Sequence, residues 1–167
     1  LVEMLVSPAS IGPGIQQKAT ELALHLAEAV GIQGILAVEL FLDRAGRLWV
    51  NEVSPRPHNS GHHTIESAVT SQYEQHLRAI LDLPLGSTDL KCPAIMINLL
   101  GDKDHNAPVK YEGLTQSMAI PGVKIHIYGK RQTRPFRKMG HITVVASTLK
   151  EAEKHAARVK EIVKVKS

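Results

Sequence analysis

Apolar residues recur along the chain at two spacings, and the change from one to the other predicts the elements. "LVEML" at residues 1–5 reads as a strand, followed by the loop "SPASIGPG". Residues 14–30 place Ile15, Ala19, Leu22, Leu26 and Val30 on one helical face, with Gly31 as a stop. "ILAVELFL" and "RLWVNEV" then flank "DRAG", the pattern of a hairpin with a loop of about four residues. Ser71 and Glu74 form a capping box that opens a helix running to about Leu81. The turn-rich run "DLPLGSTDLKCP" ends that helix, and a soft domain boundary is expected near residues 84–93.

The second part is richer in strands. "AIMINLLG" reads as a buried strand, and "VKIHIYG" alternates, with Val123, Ile125 and Ile127 opposite Lys124, His126 and Tyr128. "HITVVAS" is the next strand, joined through the basic loop "RQTRPFRKMG". Thr148 and Glu151 form a second capping box, opening a helix with Ala152, Ala156, Val159 and Val163 inward. The expected class is α+β, with residues 1–83 and 84–167 as two parts.

Strand parity sharpens the hairpin. With Asp43 to Gly46 as the loop, Leu42 pairs with Arg47 and Glu39 faces Val50. Glu52 is then diagonal to Glu39 on the same face. A two-residue change in loop length sets them directly opposite, whereas an odd change brings Asn51 there instead. A carboxylate inside an apolar strand is costly, and a second one nearby adds repulsion. A divalent cation relieves both, and oxygen ligands beside an amide suit Mg²⁺ better than zinc. Two other readings stay open: Glu39 pairs with a Lys or Arg, or it faces solvent on a half-wet sheet.

Composition narrows the classes. The 167 residues are 43% hydrophobic and 22% charged, an ordinary globular balance, and so few are aromatic that the core must be aliphatic. The net charge of +4 is dispersed, which suits phosphate-bearing small molecules and argues against a nucleic-acid track. Cys92 is the single cysteine, so no intrachain disulfide forms; it is expected in the core, and the chain in a reducing, cytoplasmic setting. No stretch is long and apolar enough for a membrane span. Leu1 opens in mid-pattern with no basic leader, so a piece of a longer protein is expected.

The loop "NEVSPRPHNSGHHT" at residues 51–64 concentrates chemistry. His58 and His62 have a spacing that ligates zinc only on a helix, and Pro55, Pro57 and Gly61 oppose one. Arg56 between two prolines has a restricted backbone, suiting bidentate recognition of phosphate or carboxylate. His58 can carry a proton near neutral pH, whereas His63 reads as structural. Lys130, Arg131, Arg134, Arg137 and Lys138 are either a solvated basic loop or an anion site.

The stretch "GILAVELFL…GRLWVNEVSPRPHNSGHHTIESAVTSQYEQHLRAILDLPLG" closely resembles the ATP-grasp family of 5-(carboxyamino)imidazole ribonucleotide synthetases, the ATPase subunits of phosphoribosylaminoimidazole carboxylase. "IYGKRQTRPFRKMGHITV" looks like the same family's "YGK…RPxRKxGH" segment. The resemblance implies the C-terminal part of an ATP-grasp domain, an antiparallel sheet with helices, followed by a small β-rich domain. By that resemblance the family's N-terminal domain and phosphate-covering loop are missing, and His63 stands where an aromatic residue is more typical. It implies ATP-dependent carboxylation of 5-aminoimidazole ribonucleotide by bicarbonate through carboxyphosphate, in purine biosynthesis. Glu39 and Glu52 would hold Mg²⁺ on ATP, with Asn51 and Glu52 at the nucleotide. Arg56 would hold bicarbonate or carboxyphosphate, and His58 would move a proton at the amine. Lys130, Arg137 and Lys138 would take the ribonucleotide phosphate. A homodimer is implied, with a carboxyaminoimidazole ribonucleotide mutase as pathway partner, and the segment alone is expected to be inactive.

Two other readings compete. One is a different ATP-grasp ligase, a formate-dependent transformylase or a biotin carboxylase, which the "PRPHNSGH" run disfavours. The other is a non-catalytic dimerisation or interaction fragment.

Overall fold

The computed structural model describes residues 2–104 and 106–167. In chain order it contains β1 (Met4–Ser7), α1 (Pro13–Ala29), β2 (Ala37–Leu42), β3 (Leu48–Ser54), a 3₁₀ turn (Asn59–Gly61), α2 (Thr64–Ser67) and α3 (Gln72–Ile80). There follow β4 (Ala94–Leu100), β5 (Lys110–Glu112), α4 (Leu114–Met118), β6 (Val123–Ile127), β7 (Lys138–Val145), α5 (Leu149–Ile162) and β8 (Lys164–Lys166). Mixed helices and antiparallel sheets make this the expected α+β class. Leu1, where the first predicted strand begins, lies outside the described residues. Among the described residues no helix is long and apolar enough to cross a membrane.

Contacts divide the chain into two compact units that are discontinuous in sequence. One unit holds the chain start through Pro8, Glu66–Ala68 and Leu90–Ser167; the other holds Ala9–Ile65 and Val69–Asp89. The first is built on a four-stranded antiparallel sheet in the order β1-β4-β7-β6, so the earliest strand pairs with one ninety residues on. Its core packs Ile95, Ile97 and Leu99 of β4 and Ile142 and Val144 of β7 with Ala152, Ala156 and Val159 of α5. Thr148 caps α5 by accepting from the Glu151 N–H, as its capping box predicts. β4 and β7 are the two inner strands, and nearly every residue on both is buried, hence the continuous apolar run in β4. On β6, Val123 and Ile125 pack against the core, but Ile127 is exposed and does not. Cys92 is half-buried rather than in the core. The short pair β5–β8 and the helix α4 lack a periodic signature in sequence.

The second unit joins α1, the β2–β3 hairpin and α3. Ile15, Ala19, Leu22 and Leu26 of α1 are half-buried, while Val30 is exposed just past the helix. Ser71 caps α3, its hydroxyl accepting from the Glu74 N–H at 3.2 Å, as the capping box predicts. Phe41, Trp49, Val50 and Val53 of the hairpin are exposed.

Candidate active site

The β2–β3 turn is one residue tighter than its sequence suggests. The Asp43 N–H donates to Arg47 O at 3.0 Å and the Gly46 N–H to Asp43 O at 3.0 Å, with Gly46 at a φ of 77°. Asp43 and Arg47 therefore close a three-residue loop ending in left-handed glycine, a common hairpin form. The Asp43 carboxylate secures it, accepting from the N–H groups of Ala45 and Arg47, from Arg47 Nε and from the Trp49 indole. These bonds, led by the Arg47 N–H and the Trp49 indole, hold the Asp43 pKa below its ordinary 3.8.

That turn sets Leu42 opposite Leu48 and Leu40 opposite Val50, a register that would bring Asn51 to Glu39. A bulge intervenes: the register shifts between Glu39 and Leu40, so Asn51 becomes an extra residue and Glu39 pairs directly with Glu52. The one-residue change at the turn and the one-residue bulge add to two, which restores the parity expected from the sequence. The diagonal placement expected for Glu52 is replaced by a direct cross-strand pair.

Both Asn51 and Glu52 reach Glu39 as a result. Asn51 Nδ2 donates to Glu39 Oε2 at 3.1 Å. His58 Nε2 lies 3.6 Å from Glu39 Oε1 and 4.0 Å from Glu52 Oε1. One ligand atom from each of Glu39, Glu52 and His58 falls within 4.8 Å of the others. The imidazole is the most sheltered of the three, with its side chain 13% exposed against 37% for Glu39 and 57% for Glu52. Two facing carboxylates and a neighbouring amide form an oxygen-rich set that fits Mg²⁺, whereas a lone imidazole without thiolates is a poor zinc site.

The other nitrogen of His58 meets Ser60, with Nδ1 2.9 Å from the Ser60 hydroxyl and 3.4 Å from its N–H. The Ser60 N–H only donates, so Nδ1 accepts and a neutral imidazole carries its proton on Nε2, the nitrogen that faces the carboxylates. Arg56 is exposed; its guanidinium donates to Pro57 O at 3.2 Å, and among the described residues it makes no ion pair. His63 is buried. No local pattern marks Ser60 or Gln72, whose amide bonds the His58 main chain.

The basic loop belongs to the other unit. Lys130 Nζ donates to Lys138 O at 2.6 Å and sits 5.6 Å from the Tyr128 ring centroid. Burial, and then the charges of Arg137, Arg134 and Lys138, hold the Lys130 pKa below its ordinary 10.5. Arg137 donates to Gln132 O at 2.8 Å. The loop is tied to Gly101, whose N–H donates to Arg137 O and whose carbonyl accepts from the Phe136 N–H, each at 2.9 Å. An added Cβ at Gly101 would collide with Thr133 Oγ1 and the Arg134 carbonyl. Only hindsight marks that glycine. Nearby on the sheet, His126 and His141 stack with ring centroids 4.4 Å apart, and His126 Nε2 lies 2.8 Å from Glu66 Oε1.

Residues 1–73 match the ATP-grasp domain family model, and residues 94–155 match the phosphoribosylaminoimidazole carboxylase C-terminal domain. Residues 1–73 thus belong to the ATP-grasp family and residues 94–155 to the phosphoribosylaminoimidazole carboxylase C-terminal family. It is 50% identical to the N5-carboxyaminoimidazole ribonucleotide synthase of Bacillus subtilis over 83% of this chain and 35% of that one. It is 44% identical to the chloroplastic phosphoribosylaminoimidazole carboxylase of Vigna aconitifolia, over 94% of this chain and 29% of that one. The crystal structure of the Thermotoga maritima synthetase superposes with a TM-score of 0.95 at 49% identity, covering 98% of this chain and 46% of that one. An Aspergillus clavatus synthase in complex with ADP and the aminoimidazole ribonucleotide gives 0.87 at 37% identity, covering 96% and 43%. The chain thus spans less than half of each of these relatives.

Proposed function

We propose that this chain is the part of an ATP-grasp carbon–nitrogen ligase that grips the metal–nucleotide and handles the carboxyl group. The reaction is carboxylation of 5-aminoimidazole ribonucleotide by bicarbonate, driven by ATP. The observation that carries it is the Glu39–Glu52 pair, set face to face by the bulge with Asn51 and His58 against it. Glu39 and Glu52 would hold Mg²⁺, and Asn51 and Glu52 would meet the ATP phosphates. Bound there, the ion supplies charge neutralisation for phosphoryl transfer.

A bicarbonate oxygen attacks the γ-phosphorus, ADP leaves, and carboxyphosphate forms. The substrate amine then bonds to the carboxyl carbon, directly or after release of CO₂, inorganic phosphate departs, and the nitrogen sheds a proton. Arg56 is free to grip the planar anion bidentately. His58 is the acid/base group near the amine, its Nε2 on the carboxylate side and its Nδ1 on Ser60. Lys130, Arg137 and Lys138 take the ribonucleotide 5′-phosphate; the Lys130 pKa, lowered by burial and then by the neighbouring cations, supports a place that an anion would favour. A homodimer, a cytoplasmic location and a mutase acting on the product complete the reading.

The test is phosphate release by the full-length enzyme and by this segment. Release dependent on both bicarbonate and 5-aminoimidazole ribonucleotide is expected from the full-length enzyme and absent from the segment. Release indifferent to the ribonucleotide overturns the assignment.

A further inference from the structure

We propose that Gln72 is a positioning residue for this reaction: its side-chain amide brackets the main chain of His58 and sets the imidazole against Glu39 and Glu52. The inference rests on the reading of His58 as the proton-transfer group. Gln72 is the first residue of α3 and is 8% exposed, unusual burial for an amide side chain. Its Oε1 accepts from the His58 N–H at 2.8 Å, and its Nε2 donates to the His58 carbonyl at 2.8 Å. A primary amide offers the same donor and acceptor as a peptide unit, so Gln72 pairs with His58 as an adjacent strand would.

The amide cannot be reversed. The His58 N–H only donates and its carbonyl only accepts, which fixes which end of Gln72 is oxygen. The second Nε2 hydrogen then points to His62 Nδ1, 2.9 Å away. That nitrogen must carry a lone pair, so the Tyr73 hydroxyl at 2.8 Å donates to it as well. Burial raises the Tyr73 pKa above its ordinary 10.0, which keeps the donor proton in place.

The other side of the clamp is equally tied. The Gln72 N–H donates to Thr64 Oγ1 at 2.9 Å, and that hydroxyl donates to Gly61 O at 2.6 Å. Gly61 leaves the room the amide needs, since a Cβ there would lie 2.5 Å from Gln72 Oε1. The rigidity of the capped α3 is thereby passed through one amide to His58, whose ring ends 3.6 Å from Glu39. Without Gln72, two main-chain groups of a half-buried loop lose their partners and the imidazole loses its fixed base.

The experiment is a double-mutant cycle in the full-length enzyme, pairing Gln72→Met with His58→Ala. Methionine keeps the length and apolar body of the side chain and removes both hydrogen-bonding atoms. We expect Gln72→Met to lower kcat about tenfold or more with the KM for ATP within about twofold of wild type, and to add nothing on the His58→Ala background. A full, additive loss on that background overturns the proposal. If the methionine variant does not fold, Gln72→Asn, one methylene short, enters the same cycle. The His58 ring signals of the labelled enzyme give a readout independent of turnover. Signals unchanged by the substitution overturn the positioning role. Altered signals with a fully active His58→Ala enzyme leave the clamp on the imidazole standing but overturn the proton-transfer role of His58, and with it any part for Gln72 in turnover.

Discussion

Glu39 and Glu52 face each other across the hairpin because Asn51 is an extra residue on its strand. The arrangement places like charges side by side, where cross-strand carboxylates disfavour the fold. A cation between them would turn that cost into a gain.

Glu52→Gln in the full-length enzyme separates the two effects. Without metal, the substitution relieves repulsion between half-exposed groups, so the thermal midpoint should hold or rise, by no more than about 1 kcal/mol in stability. Turnover should fall at least about a hundredfold. Added Mg²⁺ should raise the midpoint of the wild type but not of the variant, as linkage requires of a ligand that binds only the folded site. Equal Mg²⁺ stabilisation of both proteins would remove Glu52 from the metal set.

The turn makes a pH prediction of its own. Asp43 has a folded pKa below 3.8, so its contribution is present above that value and is lost as pH falls through the folded one. Asp43→Asn should therefore lower the thermal midpoint at neutral pH, and the gap between variant and wild type should narrow in acid. Thermal denaturation from neutral pH down to below 3.8 tests this. A constant gap would show that the carboxylate charge contributes nothing to the turn.

Much of this site is legible in local pattern. Helix caps at Ser71 and Thr148 and the alternation that sets Glu39 and Glu52 on one face depend only on near neighbours. The direct pairing of the glutamates was not legible, because it needs both a left-handed Gly46 and an unpaired Asn51. Their shifts cancel in parity and leave no mark in hydrophobic spacing. Gln72 and Gly101 were invisible for another reason: each acts on backbone far along the chain, His58 in one case and Arg137 in the other.

Gly101→Ala tests the second of these. The new Cβ meets Thr133 Oγ1 and the Arg134 carbonyl, so the basic loop must move. Overpacking of this kind costs about 1–3 kcal/mol in stability. In the full-length enzyme the KM for the ribonucleotide should rise about tenfold or more while the KM for ATP stays near wild type. A rise in both to the same extent would mean that the loop does not serve the ribonucleotide.

Lys130 supplies the sharpest test of the proposed phosphate site. Its folded pKa lies below 10.5, so its positive charge is a cost to the folded protein at low pH. That cost lifts as pH rises through the folded value, and stability from this group increases across the window up to the unfolded one. A bound phosphate reverses the preference, because the anion favours the charged amine. Affinity for a phosphate monoester such as ribose 5-phosphate should then fall as pH rises through that lowered pKa, while the arginines stay charged. Lys130→Met should weaken binding by about tenfold or more and flatten the profile below pH 10.5. Titrations of both proteins across that range give the comparison. Parallel curves would mean that some other group carries the pH dependence, and Lys130 would leave the site.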